Sequence, residues 1–132
     1  MTNGTVVLAG SFPVDHLNLD GMAAEFGWSV TETSSLRGLA ELNTDRNVVA
    51  VLFNPRSLAL GWDQALRAVQ EAAPRALLIL CHGFADSIDW PQVAEAGAFH
   101  SLLLPFAGHE IRQSLGFVWD AKAQQDRVRL CA

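Results

Sequence analysis

The side chains best suited to catalysis in this sequence are Cys81 and His82, which are adjacent near the middle of the chain. A thiol beside an imidazole is the pairing of a cysteine nucleophile with its base. Neighbouring residues of a strand point to opposite faces of the sheet, so these two could not act as a dyad on a strand. The sequence therefore favours a core thiol and an imidazole at the rim of the sheet.

A serine triad is the second possibility. Ser11, His82 and Asp86 could supply a nucleophile, a base and an acid. The sequence has no G-x-S-x-G turn of the kind that exposes such a serine at the end of a strand. We expect Asp86 and Asp89 to cap helices or to lie in solvent, which is where aspartates near helix starts usually act.

Metal and cofactor sites are not expected either. His16, His100 and His109 are scattered and none lies four residues from another, so they do not form a helical metal motif. The first loop, Gly10–Pro13, lacks a hydroxyl-rich phosphate cradle of the kind that a flavin would need. A G-x-G-x-x-G or Walker-type loop is also missing. We therefore predict no metal and no cofactor.

Composition limits the classes of function further. The chain has 132 residues, half of them hydrophobic, and a net charge of -5. This length fits one domain that can bury a sizeable core. The acidic balance argues against nucleic-acid binding. The longest apolar run, 76–81, is too short to span a bilayer. With no signal-peptide pattern and no C-x-x-C motif, we expect a cytoplasmic protein that does not contact the membrane.

Five short apolar runs alternate with helix-length segments. The predicted strands are Thr5–Ala9, Trp28–Thr31, Val48–Phe53, Ala76–Cys81 and Ser101–Leu104. The predicted helices are Val14–Phe26, a short helix capped by Ser34 or Ser35, Trp62–Ala73, Pro91–Ala96 and His109–Gln124. This alternation predicts an α/β domain with a parallel sheet between two helical layers. The second run is polar and alternating, which suits an edge. We expect one domain over 1–124, followed by a C-terminal tail, 125–132, that is frayed or extends the last helix.

In order and spacing, these runs resemble the receiver domains of bacterial response regulators from about Thr5 to Trp119. The framework positions of that family are matched by Gly27-Trp28, Gly61, Gly83-Phe84, Ala96-Gly97-Ala98 and Leu104-Pro105-Phe106. The resemblance implies a flavodoxin-like (βα)5 fold with strand order 2-1-3-4-5. It also implies that the Leu104–Pro105 bond is cis, as the Lys-Pro bond of receivers typically is.

The positions that carry the family's chemistry are all replaced. Gly10 and Ser11 stand for the acidic pair, Phe53 for the phospho-accepting aspartate, His82 for the hydroxyl residue and Leu104 for the lysine. A phenyl ring has no lone pair to attack phosphorus, and the other replacements supply neither carboxylates for Mg²⁺ nor a cation for phosphoryl oxygens. The resemblance thus implies a degenerate receiver in which Phe53 and Leu104 meet and fill the former pocket with apolar groups.

The expected function is that of a non-enzymatic protein-interaction module in two-component or phosphorelay signalling. Its partner would be a signalling kinase, an effector or a second copy of the chain. Phe117 lies off the apolar stripe of the fifth helix, and Trp119 lies near the edge of that stripe. The two side chains therefore either form an interaction face or pack under the C-terminal tail. The alternative is a small-ligand sensor. A filled site at Phe53 favours the first function, whereas an open cleft lined by His82, Ser11 and Asn54 favours the second.

Overall fold

The computed structural model describes residues 4–10, 12, 16–83, 88–104 and 108–131, with the side chains of 16–18 and 126–131 outside the description. Strands and helices alternate along this part of the chain. The elements are β1 (Gly4–Ala9), α1 (His16–Ala24), β2 (Trp28–Thr33), α2 (Leu36–Asp45), β3 (Asn47–Phe53), α3 (Trp62–Ala72), β4 (Leu77–His82), α4 (Trp90–Glu95), β5 (His100–Leu103) and α5 (Gly108–Cys131). Every predicted element is present with similar bounds, except that α5 is longer than predicted.

The five strands form one parallel sheet in the order β2-β1-β3-β4-β5, which confirms the predicted fold class. The polar strand β2 lies at an edge, and the nearly continuous apolar strands β1 and β3 lie inside, as burial on both faces requires. Ala9 pairs with Phe53, and Phe53 pairs with Leu80. The carboxyl ends of the central strands therefore meet at one edge of the sheet, where domains of this class place their sites.

Each face of the sheet carries its own hydrophobic cluster. The first cluster joins the sheet to α1 and α5, and its helical members are Leu19, Ala23, Ile111, Leu115 and Val118. The second cluster joins the other face to α2, α3 and α4, and its helical members are Leu39, Ala65, Leu66, Val69 and Val93. Because side chains alternate along each strand, neighbouring strand residues generally belong to different clusters. Val49 and Ala50 both belong to the first cluster, at the irregularity in the pairing of β1 with β3.

The start of α2 and the length of α5 have identifiable causes. The hydroxyl of Ser35 accepts a hydrogen bond from the backbone N–H of Gly38 at 3.0 Å, so Ser35 is the N-cap rather than Ser34. Helix α5 continues to Cys131. Nζ of Lys122 donates a hydrogen bond of 2.6 Å to the carbonyl of Arg75, in the turn before β4. The segment 125–131 is thus helical backbone, and the domain boundary at residue 124 stays a prediction. Among the described residues, no helix has the length and apolar character needed to cross a membrane.

Candidate functional site

Phe53 occupies the end of the central strand β3, at the acceptor position of the receiver pattern. Its side chain has 0% exposure and belongs to the second cluster, between the sheet and α2, α3 and α4. It is also the largest of the fully buried side chains. The acceptor position is therefore part of the hydrophobic core, and no functional group there faces solvent.

Gly10 follows β1 and stands where receivers carry the first residue of their acidic pair. Its φ is +113°, a backbone conformation that L side chains rarely adopt. A Cβ atom at this position would collide with Oγ of Ser57, which itself donates to the carbonyl of Asn54 at 3.0 Å. The loop after β3 thus lies against Gly10, and a side chain at this position would have to adopt a strained backbone conformation and displace the Ser57 hydroxyl. Ser11 lies outside the described residues.

The described residues at the acidic and acceptor positions, Gly10 and Phe53, do not fit the Mg²⁺ ion that receiver domains use. Gly10 and Phe53 offer no side-chain oxygen, whereas Mg²⁺ requires hard oxygen ligands in an octahedral arrangement. In the part of the chain that the structure describes, no group of three or more histidine, cysteine or acidic residues could hold a metal ion. We therefore derive no chemistry through a metal.

The position of Leu104 differs from the expectation that it would contact Phe53. Leu104 is half-buried and packs on the first cluster, and its backbone N–H donates to the carbonyl of His82 at 2.7 Å. Phe53 belongs to the second cluster, on the other face of the sheet. The expected contact between Phe53 and Leu104 is therefore wrong. The acceptor position is filled by Phe53 packing with α2, α3 and α4. Pro105 lies outside the described residues.

Cys81 and His82 end β4 and point to opposite faces, as the alternation of a strand requires. Cys81 is fully buried in the first cluster, and burial raises the pKa of its thiol far above the ordinary range. His82 is half-buried on the other side, with Nδ1 3.3 Å from the carbonyl oxygen of Gly83. A Cys–His dyad is thus excluded by geometry. The serine triad involves Ser11 and Asp86, which lie outside the described residues.

An open cleft lies beside His82, between the loop after β3 and the loop after β4. Its volume is about 340 Å³, and its lining includes Arg56, Trp62 and Ile88. Neither Phe53 nor Asn54 is among its lining residues. The cleft therefore lies on the α3 side of the sheet edge and does not give solvent access to the acceptor position.

Phe117 and Trp119 lie on different sides of α5, so they do not form the single face that their closeness in sequence suggested. Trp119 is 38% exposed and its ring centroid lies 5.9 Å from those of both Phe26 and Trp28. Phe26 and Trp28 stack at 5.2 Å. We call these three residues the aromatic triplet. Trp119 thus packs on β2 and on the turn between α1 and β2.

Phe117 belongs instead to an aromatic row across α4, β5 and α5. Its ring lies 5.9 Å from His100, which lies 6.3 Å from Trp90, both in edge-on geometry. Phe117 is 43% and Trp90 38% exposed, and they are two of the three large hydrophobic side chains exposed in the described chain. The sequence reasoning missed Trp90 and His100. The available signal was a tryptophan at the start of a helix whose buried residue is Val93.

Comparisons with known proteins bear on the fold. No protein-family model matches the chain, and no curated protein matches it by sequence. The receiver domain of the TMAO respiratory response regulator TorR superposes with a TM-score of 0.71 at 24% identity, covering 89% of this chain and 98% of that one. A receiver-domain protein from Clostridium thermocellum gives 0.72 at 17% identity, covering 92% and 98%.

A third similar structure is the receiver domain of a sensor histidine kinase from Pseudomonas aeruginosa PAO1, with a TM-score of 0.66 and 21% identity over 90% of this chain and 99% of that one. That domain holds a magnesium ion in its active-site cleft. The three matches agree with the strand order and the layered helices described above. The chain therefore has the fold of the response regulator receiver domain.

Proposed function

We propose that this chain is a degenerate receiver of a bacterial two-component or phosphorelay system, which works as a protein-interaction module in the cytoplasm and is neither phosphorylated nor an enzyme. The observation that carries the proposal is the complete burial of Phe53 at the acceptor position. A buried phenyl ring can neither attack a phosphoryl group nor present an oxygen to a metal ion.

The neighbouring positions support the same conclusion. The backbone conformation of Gly10 disfavours any side chain, and a Cβ atom there would collide with the Ser57 hydroxyl, so the position is poorly suited to a carboxylate. Leu104 packs on the first cluster and has no charge with which to stabilise a phosphoryl oxygen. Restoring a single family residue would therefore not restore phosphotransfer, because the metal ligands, the nucleophile and the cation are all missing.

The aromatic row is the surface that we propose for a protein partner. Trp90, His100 and Phe117 come from three different elements and lie in edge-on contact, so their relative positions are set by the fold. Exposed aromatic rings held in this way are enriched at the centres of protein interfaces, because they bury large apolar areas at a small entropic cost. Candidate partners are a signalling kinase, an effector or a second copy of the chain.

A small-ligand sensor is the second candidate function, and the cleft beside His82 is the observation in its favour. The cleft has a volume of about 340 Å³ and combines the Trp62 ring with the polar side chains of Arg56 and His82. Pockets of this size commonly hold small ligands. Phe53, at the acceptor position, is nevertheless not among the residues that line this cleft.

The test of the first proposal is treatment with acetyl phosphate and Mg²⁺, followed by intact-protein mass spectrometry under non-acidic and acidic conditions. We expect no adduct of one phosphoryl mass, while a receiver with a complete site, treated in parallel, gains one that hydroxylamine removes. A hydroxylamine-labile adduct on this chain would refute the loss of phosphotransfer. Acid-labile phosphate would indicate a histidine, and would refute it in the same way.

The test of the interaction surface is sedimentation of the purified chain and of Phe117→Ser over a range of concentrations, together with affinity capture from the source cells. We expect the wild type to self-associate or to retain a specific signalling protein, and Phe117→Ser to lose that contact. Trp119→Ser, on the other side of α5, is the matched control and should keep it. Equal behaviour of wild type and Phe117→Ser would refute the aromatic row as the interface.

A further inference from the structure

A larger cleft lies at the opposite edge of the sheet, where the strands begin. Its volume is about 540 Å³, and its walls come from the first residues of β1, β3 and β4 and from the lower part of α5. Its lining residues include Trp28, Asn47, Arg75, Trp119, Lys122 and Gln125. We call this space the amino-end cleft. It is separated from the acceptor position by the length of the strands.

The charge of the amino-end cleft is opposite to that of the chain. Arg75 and Lys122 line it, and none of its described lining residues is acidic, although the whole chain carries a net charge of -5. Nζ of Lys122 donates to the carbonyl of Arg75 at 2.6 Å, which holds the ammonium group beside the turn that carries Arg75. The ammonium held in this way and the guanidinium of the exposed Arg75 favour an anion, and the amides of Asn47 and Gln125 add further hydrogen-bond donors.

The apolar part of the cleft is a preformed ring surface. Trp28 and Trp119 both line it, and their centroids are 5.9 Å apart within the aromatic triplet. Trp28 is almost completely buried, whereas Trp119 is 38% exposed, so one indole fixes the position of the other. A flat aromatic ligand could stack on the Trp119 indole at a small cost in side-chain entropy, because that ring is already partly immobilised.

From this combination we propose that the amino-end cleft binds a small aromatic carboxylate. The aromatic ring of the ligand lies against Trp119, and its carboxylate interacts with Arg75 and Lys122. The cleft volume is within the range of about 300–1,000 Å³ that is usual for small-molecule sites. This inference does not depend on the loss of phosphotransfer or on the aromatic row.

The test uses 2-naphthoate as the probe and its neutral amide, 2-naphthamide, as the matched ligand. Affinity is measured by isothermal titration calorimetry, and the location of binding by the four indole N–H signals of ¹⁵N-labelled protein, which belong to Trp28, Trp62, Trp90 and Trp119. We expect 2-naphthoate to shift the signals of Trp28 and Trp119 and to leave the other two unchanged. The affinity of the amide should be lower by at least about tenfold, because the neutral amide cannot form charge-assisted contacts with the two cations.

Arg75→Gln and Lys122→Gln should each weaken 2-naphthoate binding by about tenfold and leave the weak binding of 2-naphthamide unchanged. Arg67→Gln, on the exposed side of α3, is the matched loss of a cation and should have no effect. Thermal melts of each variant show whether the fold is retained. The proposal is overturned if 2-naphthoate does not bind at about 1 mM, which is near the weak limit of specific affinity. It is also overturned if 2-naphthoate and 2-naphthamide bind equally well. Indole N–H shifts at Trp62 in place of Trp28 and Trp119 would overturn it as well, because they would put the ligand beside His82.

Discussion

Among single residues, Phe53 has the most direct consequence for stability. Phe53→Ala leaves a cavity between the sheet and α2, α3 and α4, and should lower the free energy of unfolding by about 3–5 kcal/mol. Phe53→Asp should lower it at least as much, since an unpaired carboxylate would be buried there. Urea unfolding measures both. Phe117→Ala removes the same ring from a site with 43% exposure and should cost much less. Equal losses at the two positions would contradict the burial of Phe53.

Gly10 supplies a second prediction at this scale, with Gly21 as its matched control. Gly10→Ala forces a side chain into φ of +113° and into the Ser57 hydroxyl, so it should destabilise the protein by roughly 1–2 kcal/mol or more. Gly21 lies in α1 with no atoms near an added Cβ. Gly21→Ala should therefore stabilise by about 0.4–1 kcal/mol, because it lowers the entropy of the unfolded chain. Thermal melts of the two variants should shift in opposite directions. A Gly10→Ala variant as stable as wild type would show that the loop opens at little cost.

The residue-level predictions succeeded where a strand alone decides the outcome and failed where several elements meet. That Cys81 and His82 face apart follows from the alternation of β4, so the sequence was sufficient. The contact of Phe53 with Leu104 was predicted wrongly, because Phe53 ends β3 and Leu104 follows β5 at the same edge, and the sequence does not tell which face of the sheet each side chain takes. The aromatic row depends on the mutual placement of α4, β5 and α5, which no local pattern encodes.

At the scale of elements, the N-cap of α2 provides a test with a built-in control. Ser35→Ala removes the hydroxyl that accepts from Gly38 and should cost about 1 kcal/mol. Ser34→Ala changes an exposed serine just outside the helix and should change the free energy of unfolding by less than about 0.5 kcal/mol. Chemical unfolding of both variants shows which of the two serines is the N-cap. A larger loss for Ser34→Ala would place the cap one residue earlier.

The order and type of every element were predictable, because apolar runs of strand length alternate with amphipathic segments and with glycine or proline stops. The end of α5 was less predictable. No glycine or proline follows Gln124, so the sequence has no stop signal before Cys131. What stabilises the lower part of the helix is tertiary, since Lys122 bonds to the turn before β4 and Trp119 packs on Phe26 and Trp28.

At the scale of the whole molecule, the two edges of the sheet differ in what they offer a ligand. The carboxyl edge, where the family's chemistry is located, has Phe53 in the core and the loop of Ser57 lying against Gly10. The amino edge has a cleft of about 540 Å³ with two cationic side chains. The outer surface also presents the aromatic row across three elements. The two surfaces that we propose for binding thus both lie away from the acceptor position.

A prediction for the whole molecule is that its stability does not respond to Mg²⁺. A ligand that binds only the folded state raises the free energy of unfolding by RT ln(1 + [L]/Kd), which is about 2.7 kcal/mol at a concentration 100 times Kd. A receiver with intact carboxylates should therefore melt at a higher temperature in Mg²⁺. In this chain Gly10 and Phe53 offer no side-chain ligands, so we expect the same melting temperature in MgCl₂ and in KCl of equal ionic strength.

Equal ionic strength is necessary because the chain carries a net charge of -5, and any salt that screens this charge changes the melting temperature on its own. Differential scanning fluorimetry of this protein and of a complete receiver under both salts makes the comparison. A rise in Mg²⁺ that appears only in the complete receiver supports the loss of the metal site. A rise of the same size in this chain would mean that other oxygen atoms of the carboxyl edge hold the ion, and the loss of phosphotransfer would then have to rest on Phe53 alone.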